Sequence, residues 1–221
     1  MMSDNSSSSD IYLETIKKAF YKSFDKNILF PSEIGICVRR SYFARTEQNV
    51  LVVSTEQMDI GKNFHEAIEN AFENTLGCQT EVELRTEVEG IIISGRADAI
   101  CGDDLIEFKV SSYIPLQPKS YHLQQLALYY KALLDLGKQP ENVYIFYIKR
   151  DTLEVKEFKI SVEDLQDAFR KAVEFINSYK YVLETGDFKK FKPAEPSFCK
   201  YCQFRDKCNM SLSDFSKNIN P

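Results

Sequence analysis

The sequence predicts an α/β protein, a mixed sheet flanked by helices, with a small helical and cysteine-bearing lobe formed by both chain ends. Three observations carry this expectation. Between positions 81 and 89 Val82, Leu84, Thr86 and Val88 alternate with charged residues, the period of a half-buried strand, and further strand-like apolar segments follow to 110. Around that block, at 59–74, 119–136 and 161–185, they recur at helical spacing. Three of the six cysteines crowd into 199–208, beyond the last periodic segment.

The elements follow in order. The opening MMSDNSSSSD is polar and acidic, without the basic start and apolar run of a secretory leader. Residues 1–9 therefore read as a disordered tail, and the expected compartment is the cytoplasm. Residues 10–57 form an N-terminal helical segment. It holds an amphipathic helix over 10–25, with Ile11, Ile16, Phe20 and Phe24 near one face. A second helix starts after Ser32 as N-cap and carries Cys37 and Arg39. The core spans 58–185. Its first helix runs from Asp59 to Asn74. Val82, Leu84, Thr86 and Val88 then alternate with charged residues, and the strands Ile91–Ile100 and Leu105–Val110 complete a three-stranded meander turned at Gly102–Asp103–Asp104. A helix over 119–136 buries Leu123, Leu126, Tyr130 and Leu133. Val143–Ile148 is dense enough for a strand buried on both faces, and Leu153–Ile160 is its partner. The helix over 161–185 opens with a Ser161/Asp164 capping-box pair. Residues 186–221 are a Cys-rich segment without regular period.

Composition narrows the function classes. A hydrophobic fraction of 43% with 28% charged residues suits a soluble domain, and no apolar run is long enough for a membrane span. The net charge of −5 argues against a protein that binds nucleic acid over its whole surface. A local basic groove remains open to Arg39, Arg40, Arg45, Lys119, Lys189, Lys190 and Lys192, although each also suits a solvated face. There is no phosphate-cradling Gly-Lys-Ser/Thr loop, so the chain carries no ATP motor of that kind.

The chemistry concentrates on Asp98, Glu107, Phe108 and Lys109. Asp98 ends one strand, and Glu107 lies in the next across a short turn, so the two carboxylates oppose each other within about 5 Å if they share a face. Glu107 and Lys109 are two apart and project together, while Phe108 points into apolar packing. Paired carboxylates suit Mg²⁺ or Mn²⁺, with the Phe108 carbonyl as a further ligand and Lys109 placed to orient water or steady an oxyanion. A cross-strand ion pair on a solvated face would use the same residues. Two helical faces add to the set: Gly61, His65 and Glu69, each one turn apart, and Gln125 and Tyr129. His65 supplies a nitrogen ligand. His122, on the face of Gln125, is a candidate phosphate contact or a support for the residues that line the site.

In this order, His65, Gly95–Asp98, Glu107–Lys109 and Gln125–Tyr129 resemble the RecB-like branch of the PD-(D/E)XK nucleases over roughly 58–150. The resemblance implies a restriction-endonuclease-like sheet, with His65, Asp98 and Glu107 on Mg²⁺ or Mn²⁺, Lys109 catalytic, and Gln125 and Tyr129 positioning DNA.

Cys199, Cys202 and Cys208 provide three thiols, and zinc or an iron–sulfur centre normally takes four ligands. Cys37, at a helix start just before the core, is the expected fourth. Cys78 and Cys101 read as ordinary small side chains, and clustered cysteines in a reducing compartment suggest metal rather than disulfides. One cysteine before the core and three after it resembles the RecB-like nucleases that hold a [4Fe–4S] cluster, with [2Fe–2S] as the alternative. Motifs and cysteines together are similar to the fourth CRISPR-associated (Cas) protein family over nearly the whole chain. One departure is Val38, where relatives often carry Pro. That likeness implies a single-strand DNA exonuclease working 5′ to 3′, with possible endonuclease activity, on single-stranded or end-frayed DNA. It also implies that the enzyme trims prespacer ends beside the CRISPR integrase during spacer acquisition. Three readings compete with it: a non-catalytic DNA-end-binding subunit, a viral or repair nuclease outside CRISPR, and a zinc-stabilised adaptor.

Overall fold

The structure is a computed structural model and describes residues 11–13, 15, 21–47, 50–51 and 56–208. The expected tail at 1–9 and the last residues of the Cys-rich segment lie outside them. No helix among the described residues is long and apolar enough to cross a membrane.

Strands β1 (Tyr21–Lys22) and β3 (Val50–Leu51) pair as a small ribbon, while β2 (Ile28–Leu29) joins a six-stranded mixed sheet. The expected meander is present: β4 (Gln79–Val88), β5 (Ile91–Cys101) and β6 (Asp104–Ser111) are antiparallel. Glu89 and Gly90 both take positive φ (54° and 77°), the backbone of a two-residue hairpin turn that matches strand twist. The next strand, β7 (Asn142–Lys149), runs parallel to β6, and β8 (Val155–Lys159) closes the far edge antiparallel to β7.

Helices cover both faces. α1 (Val38–Thr46), α2 (Glu56–Leu76), α3 (Ser120–Asp135), α4 (Val162–Thr185) and the short α5 (Pro196–Cys199) follow in chain order. On one face α3 and α4 bury Leu126, Leu133, Leu165 and Ala168 against Leu84, Ala97, Leu105 and Ile145 of the sheet. On the other, Ile68 and Phe72 of α2 pack on Ala99, Ile106 and Phe108. A third cluster joins Leu29, Ile34, Val38 and Ile93 to Ile176, Tyr179 and Val182 of α4. The layers are those of a mixed sheet between helices, as expected.

Four local expectations change. The helix over 10–25 is helical at 11–13 and 15, but strand β1 occupies Tyr21–Lys22, because those residues pair with β3. Ser32 is not an N-cap. Pro31–Glu33 makes one 3₁₀ turn, and the chain then passes Gly35 in left-handed conformation (φ +80°) before α1 begins with Cys37 at its N-cap. A Cβ on Gly35 would stand 2.6 Å from Gln124 Oε1, so this turn is pressed against α3 where a continuing helix would not fit. Ser161 does cap α4, accepting the Asp164 N–H at 3.0 Å, but the Asp164 carboxylate accepts from the Ser161 hydroxyl instead of completing a box. Finally, Cys78 and Cys101 form a disulfide. The register that opposes Gln79 to Ile100 sets the flanking cysteines side by side, with Cα atoms 4.4 Å apart.

Candidate active site

β5 pairs with β4 along nearly its whole length, but its other edge is shared. β2 takes Ile92 and Ile93, β6 takes Ala99–Cys101, and the residues between belong to neither. The sheet therefore opens at Ser94–Asp98. The 3₁₀ turn leans over this opening, where a Cβ on Gly95 would meet Pro31 Cδ at 2.8 Å and the Tyr129 hydroxyl at 3.1 Å. Glycine is needed there for close approach. The result is a cleft of about 530 Å³ whose lining includes His65, Asp98, Glu107, Lys109, Gln125 and Tyr129.

Asp98 stands where β5 and β6 part. Its Oδ2 accepts the Phe108 N–H at 2.7 Å, so the carboxylate replaces the ladder bond that the splayed strands no longer make. Phe108 turns its ring away, 2% exposed, against Phe72 at 4.9 Å. Glu107 is fully buried, and its Oε1 accepts from Lys109 Nζ (2.5 Å) and Gln125 Nε2 (2.7 Å). Lys109 also donates to Gln125 Oε1 at 3.0 Å, and Gln125 Nε2 lies 3.4 Å from the Tyr129 hydroxyl. One amide thus fixes the lysine, the glutamate and the tyrosine together.

Among the described residues three buried side-chain oxygens accept no hydrogen bond: Glu107 Oε2 and Glu69 Oε1 near the cleft, and Gln124 Oε1 beside Gly35. His65 Nδ1 lies 3.6 Å from Asp98 Oδ1 and 3.7 Å from Glu69 Oε1. His65, Glu69 and Asp98 offer ligand atoms within 4.8 Å of one another. Glu69 was visible in sequence only as the third member of the Gly61–His65–Glu69 face, and that spacing was its signal. An orphaned carboxylate oxygen beside an imidazole and a second carboxylate suits a hard divalent cation, since such oxygens are costly to bury with nothing to bind.

The electrostatics agree. Burial, then the Asp98 charge, pushes the Glu107 carboxyl up to about 7, against the pull of Lys109. Burial opposes the charge on Lys109, but Glu107 and Asp98 more than offset it and raise the ammonium's pKa. His65 is likewise raised, burial being outweighed by Asp98. Burial raises the Tyr129 hydroxyl, which stays protonated. Burial, Lys109 and Lys119 bring His122 down to about 2, and its Nδ1 faces the Tyr147 hydroxyl at 2.7 Å. The ring thus stands behind Lys109, against the Tyr147 side chain that opposes it in the sheet.

At the chain ends Cys37, Cys199, Cys202 and Cys208 line one small hollow with Arg39, Phe43 and Phe204. Cys37 caps α1, Cys199 ends α5, and the other two stand in the turns that follow. Arg39 donates to Cys208 Sγ at 3.3 Å, and burial raises the thiols of Cys199 and Cys202. Four sulfur donors with an N–H aimed at one of them fit a thiolate-bound metal centre. Arg39 and Arg45 leave the list of groove residues. Arg39 is buried and donates to the Phe191 (2.7 Å) and Lys189 (3.3 Å) carbonyls, while Arg45 is buried in an ion pair with Glu33. Their long stems and planar forks serve packing between segments.

A family model described as PD-(D/E)XK nuclease superfamily matches residues 77–209. Among solved structures the chain is similar to SSO0001, at 20% identity and TM-score 0.64 over 93% of this chain and 98% of that one. It is also similar to a candidate exonuclease from Eubacterium rectale, at 13% identity and TM-score 0.62 over 98% and 100%. At those identities the likeness is one of fold. No curated protein matched the sequence.

Proposed function

The chain belongs to the PD-(D/E)XK nuclease superfamily, and on that premise we propose that it is a metal-dependent exonuclease of single-stranded or end-frayed DNA, working 5′ to 3′. The observation that carries this reading is Glu107: fully buried, one oxygen held by Lys109 and Gln125, the other unpartnered and facing the cleft that holds Asp98 and His65.

His65, Asp98, Glu107 and the Phe108 carbonyl would hold Mg²⁺ or Mn²⁺, which when bound polarises a phosphodiester and lowers the pKa of bound water. The residues do the rest. Lys109, charged and pinned on two sides, presents N–H donors where a phosphoryl oxygen gains charge. Gln125 keeps the Lys109–Glu107 pair in register. Tyr129, protonated, donates to substrate rather than accepting a proton. A 5′-labelled single strand with Mn²⁺ should be degraded by the wild type and left intact by Glu107→Ala. Equal degradation by both would overturn the assignment, and blocking each end in turn reads the polarity.

Cys37, Cys199, Cys202 and Cys208 would hold an iron–sulfur cluster, [4Fe–4S] or [2Fe–2S], in a structural role. Its support is the all-sulfur donor set gathered from both chain ends. Anaerobically purified protein should absorb in the visible region and contain iron; stoichiometric zinc would replace this reading. The order of motifs and cysteines supports a setting in CRISPR spacer acquisition, trimming prespacer ends beside the integrase. Co-purification of the integrase tests it.

A further inference from the structure

We propose that Tyr113, Lys119 and Tyr121 form a stacking subsite for single-stranded DNA beside the strand that carries Glu107 and Lys109, taking a base on the Tyr113 ring and its phosphate on the Lys119 ammonium. This rests on the nuclease reading above and names where the strand runs beyond the scissile bond.

The three residues lie beside the catalytic strand. β6 carries Glu107 and Lys109 and ends at Ser111, so Tyr113 is the second residue past its end. On the neighbouring strand Tyr147 is opposed to Lys109 in the β6–β7 register. The Tyr147 hydroxyl accepts the Lys119 backbone N–H at 3.0 Å and faces His122 Nδ1 at 2.7 Å, which ties the start of α3 to the strand next to the catalytic lysine. From that anchor the Lys119 ammonium lies 4.9 Å from the Tyr113 ring centroid and 5.8 Å from that of Tyr121.

The loop is held by its backbone, and the Tyr113 ring, with the Lys119 ammonium against it, stays exposed. Ser111 Oγ donates to the Tyr113 carbonyl, and Lys156 Nζ of β8 donates to the carbonyls of Leu116 (3.2 Å) and Pro115 (3.5 Å). The Tyr113 side is nonetheless 54% exposed, so core packing does not account for an aromatic residue there. Tyr121 is backed edge-on by Phe198 at 5.5 Å, from the residue next to Cys199. An exposed ring beside an ammonium matches a nucleotide, a flat face next to an anion. A duplex hides its base faces in the stack, so such a subsite selects a single strand. It also places positive charge locally in a chain whose net charge is −5.

The chain contains no tryptophan, so Tyr113→Trp introduces a single indole at the subsite, which can be excited selectively over the tyrosines. Binding of a labelled oligothymidine is followed by anisotropy in EDTA, which prevents cleavage, in the wild type and in Tyr113→Ala, Tyr113→Phe and Tyr113→Trp. Tyr113→Ala should weaken binding about tenfold, as loss of one base–aromatic stack does. Phe should restore it, because the ring and not the hydroxyl stacks, and the Trp emission should be quenched on binding. Unchanged affinity in Tyr113→Ala, or an unquenched Trp, overturns the subsite while leaving the nuclease reading intact. Tighter binding of oligouridine than of oligothymidine overturns its assignment to DNA. A wild type that neither binds nor cleaves single strands overturns both.

Discussion

Asp98, Glu107 and Lys109 stand on β5 and β6, whose backbones are bonded to β4 and β7 over most of their length. The four cysteines stand at a helix cap, at the end of the four-residue α5 and in turns, with a small hydrophobic cluster of Phe43, Val50 and Phe204 beneath them. One set of ligands is placed by a sheet that forms whether or not anything binds. The other is placed by short pieces from distant parts of the chain, joined by few regular hydrogen bonds. The difference teaches what each site owes to its ligand. Removing the ion from the cleft should cost chemistry and little structure, whereas losing the cluster proposed for the hollow should cost structure and little chemistry.

The sharpest break is catalytic. Lys109→Ala or Asp98→Asn should lower Mn²⁺-dependent cleavage on the order of 10³-fold or more, and Asp98→Asn, which keeps an oxygen to accept the Phe108 N–H, should leave the circular dichroism spectrum and melting curve close to wild type. Unfolding of Asp98→Asn would remove the contrast between the two regions.

Next comes the link between them. Arg45 of α1 donates to the Ile28 carbonyl at 2.6 Å and pairs with Glu33 of the 3₁₀ turn that overhangs the cleft. Its side chain is 1% exposed. Arg45→Met leaves Glu33 half-buried without its partner and should cost about 3 kcal/mol in chemical denaturation. A loss within experimental error would mean the regions are mechanically independent.

A similar energy can be read through pH. The Glu107 carboxyl lies at about 7 when folded and near 4.5, the value of a free glutamate, when unfolded, because burial and Asp98 disfavour its charge. A raised pKa stabilises fully below the unfolded value and is lost as pH rises through the folded one. The metal-free protein should therefore lose about 3 kcal/mol between pH 4.5 and just above 7 from this group. Glu107→Gln should flatten that slope, and bound Mn²⁺ should oppose it. Identical pH slopes for Glu107→Gln and the wild type would show that the cleft stores no such charge.

At the hollow, Cys202→Ser should raise amide exchange at least about tenfold in 37–47 and 188–208, a local opening eased by about 1.4 kcal/mol. Exchange in β5, β6 and β7 should not change. A rise spread over the sheet would refute the division. The smallest effect belongs to neither region. Ser161→Ala removes the N-cap of α4 and should cost about 1 kcal/mol with both sites unaltered.

Much of this was legible beforehand, and the physical reason is locality. Period-two alternation over 82–88 marks a strand with one buried face because successive side chains point to opposite sides, and β4 shows that alternation. Glu107 and Lys109 share a face for the same reason, and Gln125 and Tyr129 meet because they are one helical turn apart. The missed features all depend on partners distant in sequence. Glu69 is a candidate ligand because of where Asp98 sits, and Cys78 is bonded because β4 and β5 pair in one register. Arg39 and Arg45 read as surface cations until the segments that accept their protons fold over them.

The sequence by itself determined the strands and helices of the core, the shared faces of the candidate catalytic residues and the all-sulfur character of the chain-end site, since each is a matter of residue type and short spacing. Only the tertiary structure decided that β2 and β6 divide one edge of β5 and leave the sheet open at Asp98. It likewise decided that Cys37 meets three cysteines from the other end of the chain. Pairing between distant segments is set by the total burial of the core, and no local pattern encodes that sum.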